Sequence, residues 1–204
     1  METMSKIFTV WESTIEQYRD TPHVEIEIRL GKVNRGSFDT NVGQQTFEKV
    51  LHRLRKFDGW EKTTETQTTV YTDTETSKRV VMNDVTDEME SAVVKKRLYI
   101  NDQVLEGFPV DARLCISSEV PYNRDADTEE NFTRVKKRKR VSFLRKGLSI
   151  DLTEVHGEAE DKDSEDAIQY QVELEITNPP TSIPERKQLF NIIYKISDIC
   201  AIIL

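Results

Sequence analysis

The chain has 204 residues, 36% hydrophobic and 32% charged, with a formal net charge of −8. That length can bury one sizeable core, and no apolar run approaches the roughly 20 residues needed to cross a bilayer. The acidic balance excludes a general nucleic-acid coat, which needs a basic surface, and the isolated Cys115 and Cys200 exclude a disulfide framework and suit a reducing, intracellular setting.

Residues 5–18 set Ile7, Phe8, Trp11, Ile15 and Tyr18 near helical spacing, which predicts a first helix. The segment VEIEIRLG (24–31) alternates Glu25, Glu27 and Arg29 with Val24, Ile26, Ile28 and Leu30, a strand closed by Gly31. Residues 43–57 put Phe47, Val50, Leu51 and Leu54 on one face of a second helix. From about 65 to 177 strand follows strand: TQTTVYTDT, KRVVMND, SAVVKKRLYI, ARLCISSEV, a basic segment from Arg134, LSIDLTEV and YQVELEIT. Turn residues stand at Asn83-Asp84, Asn101-Asp102, Gly107, Pro109 and Gly147. The acidic stretches 123–131 and 156–167 read as solvated loops. A last helix opens at Ser182, with Glu185 three residues on as a capping box, and runs through Leu189, Ile192, Ile193, Ile196, Ile199 and Ile202. No internal repeat or linker interrupts the pattern, so residues 1–204 read as one domain.

Chemistry concentrates in three of these strands. Each Glu-x-Glu, at Glu25/Glu27 and at Glu173/Glu175, projects two carboxylates about 7 Å apart along one face. Such a face is often just a wet surface. Two of them side by side would gather four carboxylates, a costly arrangement unless a hard cation or basic groups neutralise it. The basic segment supplies those groups: from Arg134 to Ile150 there are eight basic residues and no acidic ones. It continues into Val141, Ser142 and Phe143, which argues for a strand of the fold and not a tail. The predicted fold is therefore α+β: an antiparallel eight-stranded β-barrel, closed, with flanking α-helices covering its apolar outside. Its lumen would hold Glu25, Glu27, Arg29, Arg113, Lys136, Arg138, Arg140, Asp151, Glu173 and Glu175, a lining suited to a polyanion held through a metal.

In order along the chain, VEIEIRLGK, KKRKRVSF, SIDLTEV and YQVELEITNP resemble the motifs of the metal-dependent RNA 5′-triphosphatases of fungi and large DNA viruses. These belong to the triphosphate tunnel metalloenzyme superfamily, and the small algal-virus forms are the nearest in size. The resemblance implies a capping enzyme that removes the γ-phosphate from 5′-triphosphate RNA, hydrolyses free NTPs and uses Mg²⁺ or Mn²⁺. It implies Glu25, Glu27, Glu173 and Glu175 around the metal, with Glu173 orienting the attacking water. Arg29, Arg79, Arg113, Lys136, Arg138 and Arg140 would hold phosphate oxygens, with Arg138 and Arg140 catalytic, and Asp151 would hold one of those basic groups in place. Guanylyl transfer would fall to a separate chain, with no membrane involved, and a viral protein would act in the nucleus or cytoplasm of its host. Two positions depart from the family pattern: Ser149 stands where relatives carry arginine, a charge that Lys146 could supply, and Gln171 stands where they carry a carboxylate.

Three alternatives stay open. An inorganic tripolyphosphatase or a CYTH-type nucleotide enzyme would share the fold, and a non-catalytic RNA or polyphosphate binder would use the basic strand alone. No Walker loop is present, Cys115 lacks the His-Cys-x5-Arg setting of cysteine phosphatases, and the scattered histidines form no zinc set.

Overall fold

The computed structural model describes residues 2–124, 131–157 and 168–204. Most of the two acidic stretches, at 125–130 and 158–167, lies outside the described residues. Helix α1 (Glu2–Tyr18) leads into β1 (Val24–Asn34), β2 (Ser37–Asp39) and α2 (Gln44–Arg55). Six strands follow: β3 (Lys62–Thr72), β4 (Lys78–Asn83), β5 (Met89–Gln103), β6 (Asp111–Pro121), β7 (Arg134–Arg145) and β8 (Leu148–Gly157). Strand β9 (Gln169–Ile176) and helices α3 (Pro179–Ser182) and α4 (Arg186–Ile203) complete the chain.

Eight antiparallel strands form the predicted closed barrel, in the order β1-β6-β5-β4-β3-β7-β8-β9 and back to β1. The closing seam is short: Glu27 faces Glu175, Ile28 faces Leu174 and Arg29 faces Glu173. Because strand side chains alternate, each wall is one residue thick, charged inside and apolar outside. The outer residues Ile26, Ile28, Leu30, Leu114, Ile150, Leu152, Val172 and Leu174 are all buried beneath α1, α2 and α4. Each such aliphatic removed from water stabilises by about 1.5–3 kcal/mol, so this jacket holds the charged lumen shut.

Several local readings need correction. Strand β1 does not end at Gly31 but runs to Asn34, and β2 folds back on it through Arg35 and Gly36, both at positive φ. Gly31 instead permits a close approach, since a Cβ there would lie 2.0 Å from the Asp39 carbonyl oxygen. Asn101-Asp102 make no turn. Both lie inside β5, where Asn101 Oδ1 accepts a 2.8 Å hydrogen bond from the buried Trp11 indole and Asp102 holds Arg113. The last helix is broken in two, because Pro184 biases the residue before it away from the helical region, and Ile183 sits at φ −128°. Ser182 therefore caps nothing; its hydroxyl donates back to the Thr177 carbonyl, and Glu185 precedes α4 in an extended conformation.

Candidate active site

The lumen forms a cavity of about 250 Å³ into which strands from both ends of the chain send charged groups. On β7 the parity is the expected one: Lys136, Arg138 and Arg140 face inward and are partly shielded, while Lys137 and Lys139 are exposed. Arg138 and Arg140 line the cavity together with Glu25, Glu27, Arg29, Arg79, Glu173 and Glu175. Lys136 lies further along β7, outside the lining. Arg113 also lies outside it, at one end of the barrel. There Asp102 grips it at 2.6 and 2.9 Å and its guanidinium stacks 4.6 Å over the Phe38 ring, so it is committed before any substrate arrives.

Three charged lining residues were not assigned from the sequence: Glu90, Lys95 and Glu119. Lys95 Nζ binds Glu25 and lies 2.9 Å from Glu119, while Arg79 stands 3.7 Å from that same Glu119 oxygen. The signal was available in the alternation Ser91, Val93, Lys95, but the Lys-Lys-Arg run masked which member faces in. Lys146 does not replace the missing arginine at Ser149. It sits in the β7–β8 turn at φ 49°, outside the lumen, while the Ser149 hydroxyl donates to Asp151 at 2.6 Å.

Ion pairs tie the floor together. Arg29 Nη2 lies 2.7 Å from Glu27 and its Nε 3.1 Å from Glu173. Arg140 makes three contacts: Nε donates to Thr153 at 2.9 Å, Nη1 to Asp151 at 3.3 Å and Nη2 to Glu173 at 3.1 Å. Asp151 does hold a basic group in place, and that group is Arg140. Gln171, at the departed family position, donates instead to Thr40 at 3.2 Å.

Protonation follows from these surroundings. Burial, reinforced by the Glu173 charge, pushes Glu27 up to about 7 despite Arg29. Burial, with Glu25 and Asp151 nearby, likewise pushes Glu175 up to about 7. Glu173 is the opposite case: burial acts to raise it, but Arg29, Arg140 and Arg138 together hold it below the ordinary carboxylate range. Arg138 is pushed down to about 9 by burial and by Arg79 and Arg140, more than Glu173 raises it, and it forms no ion pair among the described residues. Its Nε and that of Arg79 are buried donors with no hydrogen-bond partner among the described residues.

The lumen thus carries unanswered charge of both signs. Among the described residues no three acidic, histidine or cysteine groups already enclose a metal. Yet Glu27 and Glu175 face each other across the seam, and burial with the neighbouring carboxylates raises both more than Arg29 and Arg140 lower them. An all-carboxylate oxygen set next to such charge fits a hard divalent cation.

A closed antiparallel barrel with this lining is a triphosphate tunnel. Residues 38–189 match the family described as "mRNA capping enzyme, beta chain", and since that is most of the chain, the protein belongs to this family: it is a hydrolase, an RNA 5′-triphosphatase of mRNA capping. The match begins after β1, so the pairing of β1 with β9 is what adds Glu25 and Glu27 to the site. The fold is similar to that of the Pct1 RNA triphosphatase of S. pombe, at 16% identity and TM-score 0.79 over 95% of this chain and 92% of that one. A second structure of that protein, in complex with the Spt5 CTD, gives TM-score 0.80 at 16% identity over the same shares, 95% and 92%. The Mimivirus capping enzyme triphosphatase is similar at 13% identity and TM-score 0.54, over 92% of this chain and 97% of that one. Comparison with the curated proteins gives no match.

Proposed function

We propose that this lumen binds the 5′-triphosphate end of RNA with Mg²⁺ or Mn²⁺ and cleaves the bond between its β- and γ-phosphates. The observation that carries the reading is the pair of buried, unsatisfied guanidinium donors on Arg138 and Arg79, in one cavity with Glu175, a carboxylate with no ion pair among the described residues. A buried donor without a partner costs about 1–3 kcal/mol, a cost that a phosphate oxygen would remove. Glu25, Glu27 and Glu175 would hold the metal, which when bound draws charge from the phosphate oxygens. Arg138, Arg79 and Lys95 would grip the phosphate chain, and Arg140 would be presented to it by Asp151 and Glu173.

Glu173 fits a different task from orienting the attacking water. Both of its oxygens are taken by arginines, and a carboxylate held below its ordinary range is a poor proton acceptor. In the proposed scheme it positions Arg29 and Arg140. Water adds at the γ-phosphorus, the bridging oxygen leaves with the β-phosphate, and the products are a 5′-diphosphate end and inorganic phosphate. Free NTPs would follow the same course, because the lining grips phosphates and offers no group aimed at a base.

Guanylyl transfer would belong to another chain. Lys56-Phe57-Asp58-Gly59 does spell Lys-x-Asp-Gly, the lysine motif of nucleotidyl transfer, but Lys56, Phe57 and Asp58 are exposed at the end of α2, outside the lumen. Release of label from γ-labelled triphosphate RNA, with Mg²⁺ or Mn²⁺ and with chelator, tests the reading. Rates on RNA ends, ATP and tripolyphosphate separate it from a tripolyphosphatase. A pyrophosphate product would replace it with cyclase-like chemistry, and binding without phosphate release would make the protein a binder.

A further inference from the structure

A second concavity lies outside the barrel, between the end of α2, the β7–β8 turn and α4, with a volume of about 750 Å³. It shares no lining residue with the lumen. Its floor is apolar, built from Leu54, Trp60, Leu148, Ile150, Ile192 and Ile199. Its rim carries Arg53, Lys56, Arg145, Lys146 and Lys195 against the single acidic Asp198. Asp198 is already paired with Lys195 at 2.5 Å, and none of the other four cations has an ion pair among the described residues. At the lip Phe57 is 41% exposed, with Arg145 stacked 5.0 Å over its ring.

We propose that this groove docks an acidic amphipathic helix of a partner polypeptide. Charge is the first argument: a chain of net −8 concentrates four unpaired cations around one apolar floor, the complement of a helix with an apolar stripe and acidic flanks. Shape is the second. The wall formed by α4 runs from Gln188 to Ile202, about 21 Å at the helical rise of about 1.5 Å per residue, and so takes roughly four turns of a helix. A second copy of this chain fits poorly, because an isologous contact would set the basic rim against itself. A nucleic acid fits poorly too, since the floor offers aliphatic side chains where base edges need hydrogen-bonding groups.

The test uses the full chain and a fluorescein-labelled peptide of about 16 residues, with Leu at i, i+3, i+4 and i+7 and Glu on its flanks. Fluorescence anisotropy should show saturable binding, at least tenfold weaker in Arg53→Glu/Lys56→Glu and also weaker on raising salt from about 0.05 to about 0.5 M. Phe57→Ser, at an exposed lip position, should weaken binding several-fold, and both variants should keep wild-type melting temperature and ATP hydrolysis. Absence of saturable binding overturns the proposal, as does binding that neither variant weakens. Equal binding of the same peptide with Lys in place of Glu overturns it by removing the charge argument. Competition by a 5′-hydroxyl RNA oligomer that both variants abolish would assign the groove to nucleic acid, and a dimer abolished by the same variants would assign it to a second copy.

Discussion

The raised pKa values of Glu27 and Glu175 make the stability of the metal-free protein fall as pH rises. Each group moves from its ordinary 4.5 to about 7, so between those values the folded state binds protons that the unfolded chain does not. Stability from such a group is fully present below its unfolded pKa and is lost as pH rises through its folded pKa. From about pH 5.5 to about pH 8 an isolated group of this kind loses about 2 kcal/mol. The two lie in one charge cluster, so about 4 kcal/mol is a ceiling for the pair. For a chain of this size 1 kcal/mol is about 2–4 °C, so Tm in chelator should drop by roughly 5–15 °C across that range. Glu173 works in another window, because its depressed pKa contributes stability that is lost only on acidification below the ordinary carboxylate range. Saturating Mn²⁺ should reverse the trend, since the ligands bind metal only when deprotonated and the stabilisation grows with pH. Thermal scans at several pH values, with chelator and with metal, measure both slopes. A flat profile in chelator, or an unchanged slope in Glu175→Gln, would refute the reasoning.

Glu25→Ala, Glu27→Ala and Glu175→Ala should each lower phosphate release by orders of magnitude while leaving the far-UV circular dichroism unchanged; near-normal turnover in any of them removes that residue from the metal set. Parity on β7 is tested by turnover of Arg138→Ala and Arg140→Ala, which should collapse, against Lys137→Ala and Lys139→Ala, which should stay within a few-fold; equal losses on both faces would make the strand a diffuse RNA patch. Arg138→Lys should recover only part of the activity, because lysine keeps the charge and loses the planar fork. Arg113→Ala should lower stability by about 1 kcal/mol through loss of its pair with Asp102 and leave kcat near normal, which denaturant titration and steady-state kinetics check together.

The barrel and its charged inner face could be read because alternation is a local signal. Glu25, Glu27, Glu173 and Glu175 needed only the period of two to be placed on the right side of the wall, and the same holds for Arg138 and Arg140. What parity cannot give is height along the strand. Arg113 has the inward parity but stands at the barrel's end, where Asp102 takes it, and Lys136 fails to line the cavity for the same geometric reason. Lys95 was hidden by its neighbours Lys96 and Arg97, and only the pairing Lys95↔Glu119 shows which of the three turns inward. Asn101-Asp102 carries turn chemistry that two tertiary partners, Trp11 and Arg113, override. The outer groove was invisible because its rim is assembled from α2, the β7–β8 turn and α4, which meet only in the folded chain.

The seam between β1 and β9 has a consequence for the timing of activity. Glu27 and Glu175 are paired neighbours in space but lie 148 residues apart in the chain, so at about 5–20 residues per second the ribosome makes the second roughly 7–30 s after the first. Joining them closes a loop whose entropic cost is about 4 kcal/mol, met only when the outer jacket is packed. A nascent chain that ends before Glu175 lacks one of the three proposed metal ligands, so it should not hydrolyse nucleotides. Recovery of ATP hydrolysis after dilution from denaturant then reports closure of the whole barrel, which makes turnover a more stringent probe of native structure than circular dichroism.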